Sequence, residues 1–332
     1  MVHFHHQAVV DSTCSSLTIS KESYDLYCCL LNSAASSHEL ESIFTPFPMA
    51  FIKNSRKDYD RMRDVLSVMP SSDDVFVEPF CTDGNCMTFN LGNDEELSQL
   101  IFEMTTYIFH NPKSELEKTV KLGEIRDLFE FILKKQCNQK FSVHYISYHQ
   151  YMKSNKGVVL LKPDHIFELR YRNMDFSNDF YTGFHASSIE NFCSIITNSL
   201  QDIHITNSQM SGTREMKTGN AFGIHMCEDV RVARDCSKGG VIHWKNSKLG
   251  SHLSAVAQCQ VVGKQEHAMK TTSNDENRYL IVQNSDLRIQ YILVFSHFKE
   301  QKELNRFHHF SRGMIYIVLL IVVVIGSYWK IY

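Results

Sequence analysis

The stretch "GFHASSIENFCSIITNSL", residues 183–200, ends a short apolar run on a histidine and follows it with small residues and a helix-like pattern. An imidazole donates and accepts hydrogen bonds near neutral pH without needing a charge, so His185 is suited to hold a hydroxyl-bearing ligand. A single histidine at a strand–helix junction is as readily a hydrogen-bonded structural residue, and a site requires companions. The junction reads as a strand ending at Phe184 and His185, a turn, and a helix opened by a capping box, Ser187-x-x-Glu190. Ile189, Phe192, Ile196 and Leu200 give that helix its apolar face.

The other chemistry-bearing residues narrow the function class. Ten cysteines are spread over the chain with no secretory signal ahead of them, which reads as reduced thiols facing the cytosol. The nearest approach to metal-ligand spacing is Cys81-x4-Cys86 in "CTDGNC", with His144 and His149 far downstream. Nothing ties the four together, so a turn with incidental cysteines, and no metal, is expected there. The sequence has no GxGxxG or Walker A loop, so a nucleotide would be held in another way. A net charge of −3 with both signs interspersed leaves no electrostatic footprint for nucleic acid.

The 332 residues have room for two domains. After residues 1–15, taken as disordered, residues 16–150 read as an all-helical domain. "SKESYDLYCCLLNSAAS" puts Tyr24, Tyr27, Cys28 and Leu31 on one stripe behind a Ser20 cap, and "KDYDRMRDVLSVM" does the same with Tyr59, Met62, Leu66 and Met69. "TPFPMAF" is a proline-punctuated connector between them. "DEELSQLIFEMTTYIFH" and "SELEKTVKLGEIRDLFEFILKK" are long amphipathic runs with acidic first turns.

Over residues 151–300 the pattern changes to short β-branched and aromatic runs, with period-two alternation at Leu287, Ile289, Tyr291, Leu293 and Phe295. Strands in clusters, with few helices between them, point to an antiparallel α+β domain. A basic linker, residues 301–312, then leads into "GMIYIVLLIVVVIGSYWKIY", residues 313–332. The uncharged stretch from Met314 to Trp329 reaches the lower end of the roughly 17–25 residues that a spanning helix needs. Lys299, Lys302, Arg306 and Arg312 lie before it and only Lys330 after it, so the expected arrangement is a single-pass tail anchor with the rest of the chain in the cytosol. The short span favours a thin membrane such as that of the endoplasmic reticulum.

The order His185-Ala186-Ser187, a helix "ENFCSIITNSL", then "AFGIHMCED" and "YLIV…LRIQYILVFS" resembles the catalytic domain of the poly(ADP-ribose) polymerase (PARP) family of diphtheria-toxin-like ADP-ribosyltransferases. With "TPFPMAF" in the helical half and the apolar C-terminus, it is most similar to the tail-anchored, mono-ADP-ribosylating kind of that family found in the endoplasmic reticulum. The resemblance implies two packed antiparallel β-sheets with a cleft for NAD, which is a substrate, and protein acceptors that include the chain itself.

On that likeness His185 donates to the adenosine ribose. The Ala186 backbone grips the nicotinamide amide, beside Ser187, and Gly223 leads into His225, which lies on the nicotinamide ring. Tyr279 backs the nicotinamide ribose. Ala186 stands where the family has glycine, and its methyl group is expected to intrude on the nicotinamide or strain the backbone. His225 replaces one stacking tyrosine and Cys236 a second. Tyr279 takes the place of the elongation glutamate, and Glu276 is too far along the strand to substitute, so transfer of a single ADP-ribose is expected. The polar segment 201–220 matches a donor loop over the cofactor. Two readings follow: a membrane-anchored mono-ADP-ribosyltransferase, or a scaffold protein in which this fold binds without turnover.

Overall fold

The computed structural model describes residues 16–37, 47–76, 86–90, 98–99, 101–103, 105–106, 122–136, 141–155, 161–171, 180–198, 224–262, 269–272, 278–282 and 287–296. Cys81, Gly223, Glu276, the segment 201–220, the linker 301–312 and the apolar segment 313–332 lie outside these residues. Among the described residues no helix is long and apolar enough to cross a membrane.

The strands are β1 (Ser16–Ser20), β2 (Ile52–Lys53), β3 (Arg56–Lys57), β4 (Cys86–Asn90), β5 (Phe141–Tyr145), β6 (His165–Tyr171), β7 (Phe180–Ala186), β8 (Ile224–Cys227), β9 (Gly240–Val241), β10 (His252–Val262), β11 (Met269–Thr272), β12 (Arg278–Val282) and β13 (Leu287–Ser296). The helices are α1 (Lys21–Ala35), α2 (Tyr59–Ser67), α3 (Ser72–Val75), α4 (Leu122–Gln136), α5 (Tyr148–Ser154), α6 (Phe192–Asn198) and α7 (Val230–Cys236).

The N-terminal half is not all helical, as the sequence had implied. β1 pairs with β4, and β2 with β3 around Asn54 and Ser55, whose φ values of 49° and 61° make the tight hairpin turn. β5 belongs to the main sheet, pairing with β6 at its edge. α1 begins where expected, with the Ser20 side chain accepting from the Ser23 N–H at 3.1 Å. It is not a one-sided helix, because every residue from Ser23 to Ala35 is buried. Several of its polar groups meet distant main chain, whereas Asp25 Oδ1 is buried without a hydrogen-bond partner. Ser23 Oγ donates to the Val143 carbonyl at 2.9 Å, and Asn32 Oδ1 accepts from the His243 N–H at 2.9 Å.

The main sheet is continuous and antiparallel in the order β11-β12-β8-β7-β10-β13-β6-β5, with β9 beside β10. One face packs on the helices through the large apolar cluster that includes Tyr24, Phe129 and Trp244. The other carries a smaller cluster, with Tyr151, Val230 and Ala233 from α5 and α7 covering it. The alternation in β13 is broken by a bulge, since Gln258 pairs with Tyr291 but Cys259 pairs with Ile289. Leu287 and Ile289 therefore face the large cluster, whereas Tyr291, Leu293 and Phe295 face the small one. One extra residue reverses the faces, which is why the five do not form the single stripe read from the sequence.

The segment 242–250 clasps the helices. Trp244 Nε1 donates to the Met69 carbonyl at 3.2 Å, the Lys248 N–H donates to Asp25 Oδ2 at 2.7 Å, and Cys29 Sγ lies 3.1 Å from Ser247 Oγ. Asp73 takes ion pairs from both Lys21 and Lys248 at 2.9 and 2.8 Å. These pairs hold its carboxyl down to about 2.

Candidate functional site

β7 carries exposed and half-buried residues except at Gly183. That glycine is needed for close approach: a Cβ there would sit 2.9 Å from Met226 Cε, the side chain that β8 turns toward the core. β7 and β8 consequently meet, but only at one rung among the described residues, Phe184 opposite Cys227. Beyond it β7 stays with β10, Ala186 opposite Val256, while β8 goes with β12, Ile281 opposite His225 and Tyr279 opposite Cys227. The continuous sheet is thus two antiparallel halves joined at a single point, in place of the two packed sheets expected.

A continued ladder would next pair His185 with Met226 and Ala186 with His225. Instead the His185 imidazole enters the gap, and its Nδ1–H donates to the His225 carbonyl at 3.1 Å. The ring acts as a wedge that satisfies the main-chain acceptor which the parted strands leave behind. The bond also sets the tautomer. With the proton on Nδ1, neutral imidazole has an acceptor at Nε2, so His185 would receive a hydroxyl proton from a ligand and not donate one.

His225 is the exposed residue of β8, between buried Ile224 and Met226. His185, His225 and Tyr279 are therefore on three successive strands, each at or near the rung where the halves join. The Ala186 methyl packs against the small apolar cluster, and its φ is not positive, so the backbone there carries no strain of the expected kind.

Ser187 does not open a capping box with Glu190. The chain enters a 3-10 turn, Ile189–Asn191, without a side-chain cap, and the tighter turn brings Asn191 back over the serines. Its Nδ2 donates to Ser187 Oγ at 2.8 Å and to Ser188 Oγ at 3.1 Å. Asn191 Oδ1 is buried without a hydrogen-bond partner, an acceptor in need of a donor. The sequence reading missed this residue. Its only trace was an amide four positions after a serine. The turn is backed by Gly240, where a Cβ would lie 2.6 Å from Ile189 Cγ2.

Cys236 is exposed at the end of α7. Burial, with the adjoining Cys236 thiol adding to it, pushes the Cys227 thiol up to about 12. Burial likewise raises Cys28, Cys29 and Cys259, so each of these four thiols is held in its un-ionised, weakly nucleophilic form. Among the described residues no group of three or more His, Cys, Asp or Glu is arranged to hold a metal ion. What the site offers is neutral acceptors, hydroxyls and an exposed flat ring, which suits a polyhydroxyl ligand carrying an aromatic group.

Comparison with known proteins points to a class in keeping with this site. Residues 18–103 match the family described as the ARTD15 N-terminal domain, and the full-length relatives are ADP-ribosyltransferases. In particular, the chain is 24% identical over 339 residues to the protein mono-ADP-ribosyltransferase PARP16 of Homo sapiens, covering 91% of this chain and 90% of that protein. To the PARP16 of Mus musculus it is 23% identical over 334 residues, covering 90% and 88%. The chain is PARP16-like along nearly all of its length.

Proposed function

We propose that this protein is a mono-ADP-ribosyltransferase, tethered by residues 313–332 to the endoplasmic reticulum membrane with its cleft in the cytosol. The observation that carries the reading is the His185 wedge at the parted rung, with His225 and Tyr279 on the next two strands, in a chain similar to PARP16 throughout. NAD lies across the split. Its adenosine ribose gives a hydroxyl proton to His185 Nε2, Ala186 meets the nicotinamide amide through its backbone, His225 lies on the ring and Tyr279 backs the second ribose.

Little acid–base help is needed, because the nicotinamide ring is cationic in NAD. The bond between its nitrogen and the ribose anomeric carbon breaks, and the electron pair leaves with neutral nicotinamide. An acceptor side chain then attacks that carbon and releases its proton to solvent. The protein holds the two reactants in line. A neutral imidazole at His225 serves, whereas an imidazolium would repel the ring it covers. With a phenol at position 279 in place of a carboxylate, nothing activates a ribose hydroxyl for a second transfer, so one ADP-ribose is added.

The test is the full-length protein in detergent with NAD labelled in its adenylate part. Label transferred to the chain, and lost in His185→Ala, is the expected result. Thermal stabilisation by NAD with no label transferred would favour the scaffold reading instead. The anchor is tested separately by fractionating cells that express a truncation ending at Phe310. The truncated chain should leave the membrane fraction, and its retention there would refute the anchor.

A further inference from the structure

Ser296 ends β13, and the chain beyond it leads through the basic linker to residues 313–332. Its surroundings fix that exit. Leu253 of β10 pairs with Ser296 on one side and with Gly240 of β9 on the other. Asp164, next to the start of β6, accepts the Ser296 N–H on Oδ2 at 2.8 Å. Gly250 closes in so tightly that a Cβ there would lie 2.9 Å from Ser296 Oγ. The exit is therefore a point on a rigid rim, with Lys162 on one flank and residues 240–250 on the other. Burial alternates along the second flank. Ile242 and Trp244 are 4% and 2% exposed, whereas Val241 is 53% exposed, and His243 and Lys245 are exposed with it. Lys162 is exposed too, its ammonium 5.4 Å from the centroid of the Tyr148 ring. Neither Lys162 nor Lys245 makes an ion pair among the described residues. Residues 236–252 contain no Asp or Glu, in a chain of net charge −3. The acid nearest the exit, Asp164, is already engaged by the Ser296 N–H.

We propose that this rim is a docking surface for a membrane with anionic lipid headgroups, Val241 entering the headgroup layer and Lys162 and Lys245 meeting the headgroups on either side of the exit. The inference rests on the anchor assigned above to residues 313–332. Two lysines and one valine would bind a vesicle poorly from free solution. Tethering changes that. The segment 297–312 spans at most about 55 Å even when fully extended, so the rim meets the surface as an intramolecular event at a high effective concentration. At an anionic surface each lysine is worth about fivefold, and the pair favours the docked pose by about thirtyfold. An acidic protein would match the same charges, but nothing would hold it at this rim, whereas the tether holds the membrane there.

Docking sets where the cleft stands. His185 pairs with Ala257, four residues along β10 from Leu253, which puts its backbone about 13 Å from the rim at roughly 3.3 Å per residue. Val262, the last residue of β10, is 49% exposed at the far end of the strand, about 30 Å from the rim. The docked protein thus holds its cleft close above the membrane, at a height that the rim and not the linker decides.

The experiment reconstitutes the full-length protein in vesicles of phosphatidylcholine, with or without phosphatidylserine, carrying the photoreactive residue benzoylphenylalanine in place of Val241 or, as a control, of Val262. Flotation reads the anchor, and mass spectrometry after illumination reads lipid adducts. The expected result is flotation with both kinds of vesicle. Adducts at position 241 should rise severalfold with phosphatidylserine and exceed those at 262. They should fall to the neutral-vesicle level in the double variant Lys162→Glu, Lys245→Glu and in high salt. Adducts at 241 no more frequent than at 262, in chains that float, refute the docking and leave the anchor standing. Adducts at 241 to protein in place of lipid refute it in favour of a protein partner. Adducts unchanged both by phosphatidylserine and by the double variant refute the part assigned to the lysines. A chain that does not float refutes the anchor, and the docking with it.

Discussion

Replacing His185 separates its two roles, because alanine removes both the acceptor for a ribose hydroxyl and the wedge. The direct contact is one neutral hydrogen bond, about 1 kcal/mol net, which corresponds to about fivefold in Kd. The second loss comes from the strands. Without the ring, the His225 carbonyl that now accepts from Nδ1 at 3.1 Å is free to take a main-chain N–H across the gap, and the β7–β8 ladder grows by a rung. NAD must then reopen it at a further cost of about 1 kcal/mol, so His185→Ala should bind roughly 10- to 30-fold more weakly.

His185→Gln keeps an amide that can donate to the same carbonyl and an oxygen that can accept, and should stay within about fivefold of wild type. The assay is equilibrium titration with a non-hydrolysable NAD analogue, followed by labelled transfer. The melting temperature of His185→Ala should change little, since one bond replaces another. Binding by the alanine variant within twofold of wild type refutes the site. Glutamine as weak as alanine refutes the wedge.

Asp25, about 1% exposed, is pushed up to about 7 by burial, against the pull of the Lys248 N–H. The folded protein therefore binds this proton more tightly than the unfolded chain. Stability falls as pH rises from about 4 to 7 and levels off above, by at most about 4 kcal/mol at 1.36 kcal/mol per pKa unit. Asp25→Asn should flatten that slope and raise the melting temperature at pH 8 relative to wild type, and an unchanged slope in thermal melts at pH 5 and 8 would contradict the assignment. Gly240→Ala drives a methyl into Ile189, whose stiff branched side chain cannot step aside, and should cost about 1–3 kcal/mol by thermal denaturation while also weakening NAD binding. Asn191→Ala frees the Ser187 and Ser188 hydroxyls from their tie and should weaken NAD binding by about fivefold with the fold intact by circular dichroism. A chain beginning at residue 137 should show no cooperative melt, because it strips Met69, Asp25 and Asn32 from the segment 242–250; a sharp transition would show that the sheet stands alone.

The sequence made the ordered parts legible where a local cause sufficed. The Ser20 cap and the stripe of Met62 and Leu66 follow from the neighbours of each residue and appear as expected. The departures have long-range causes. α1 shows a stripe, yet is buried all round because its polar positions meet main chain 120 and more residues away. β13 has the right residues, but a bulge at Gln290 turns two of them over. At the site, the resemblance brought His185 and His225 forward, and the fold joins them through a hydrogen bond. The wedge itself and the orphaned oxygen of Asn191 depend on where strands part and turns tighten, which no spacing encodes.

The clasp made by residues 242–250 limits how this molecule can be divided or recombined. A chimera that joined the first half of one such protein to the second half of another would have to match a tryptophan to a distant carbonyl and a lysine amide to a shielded carboxyl across the seam. The two halves therefore have to change together over time, and a boundary drawn between them in the sequence is not a place where the folded protein can be cut.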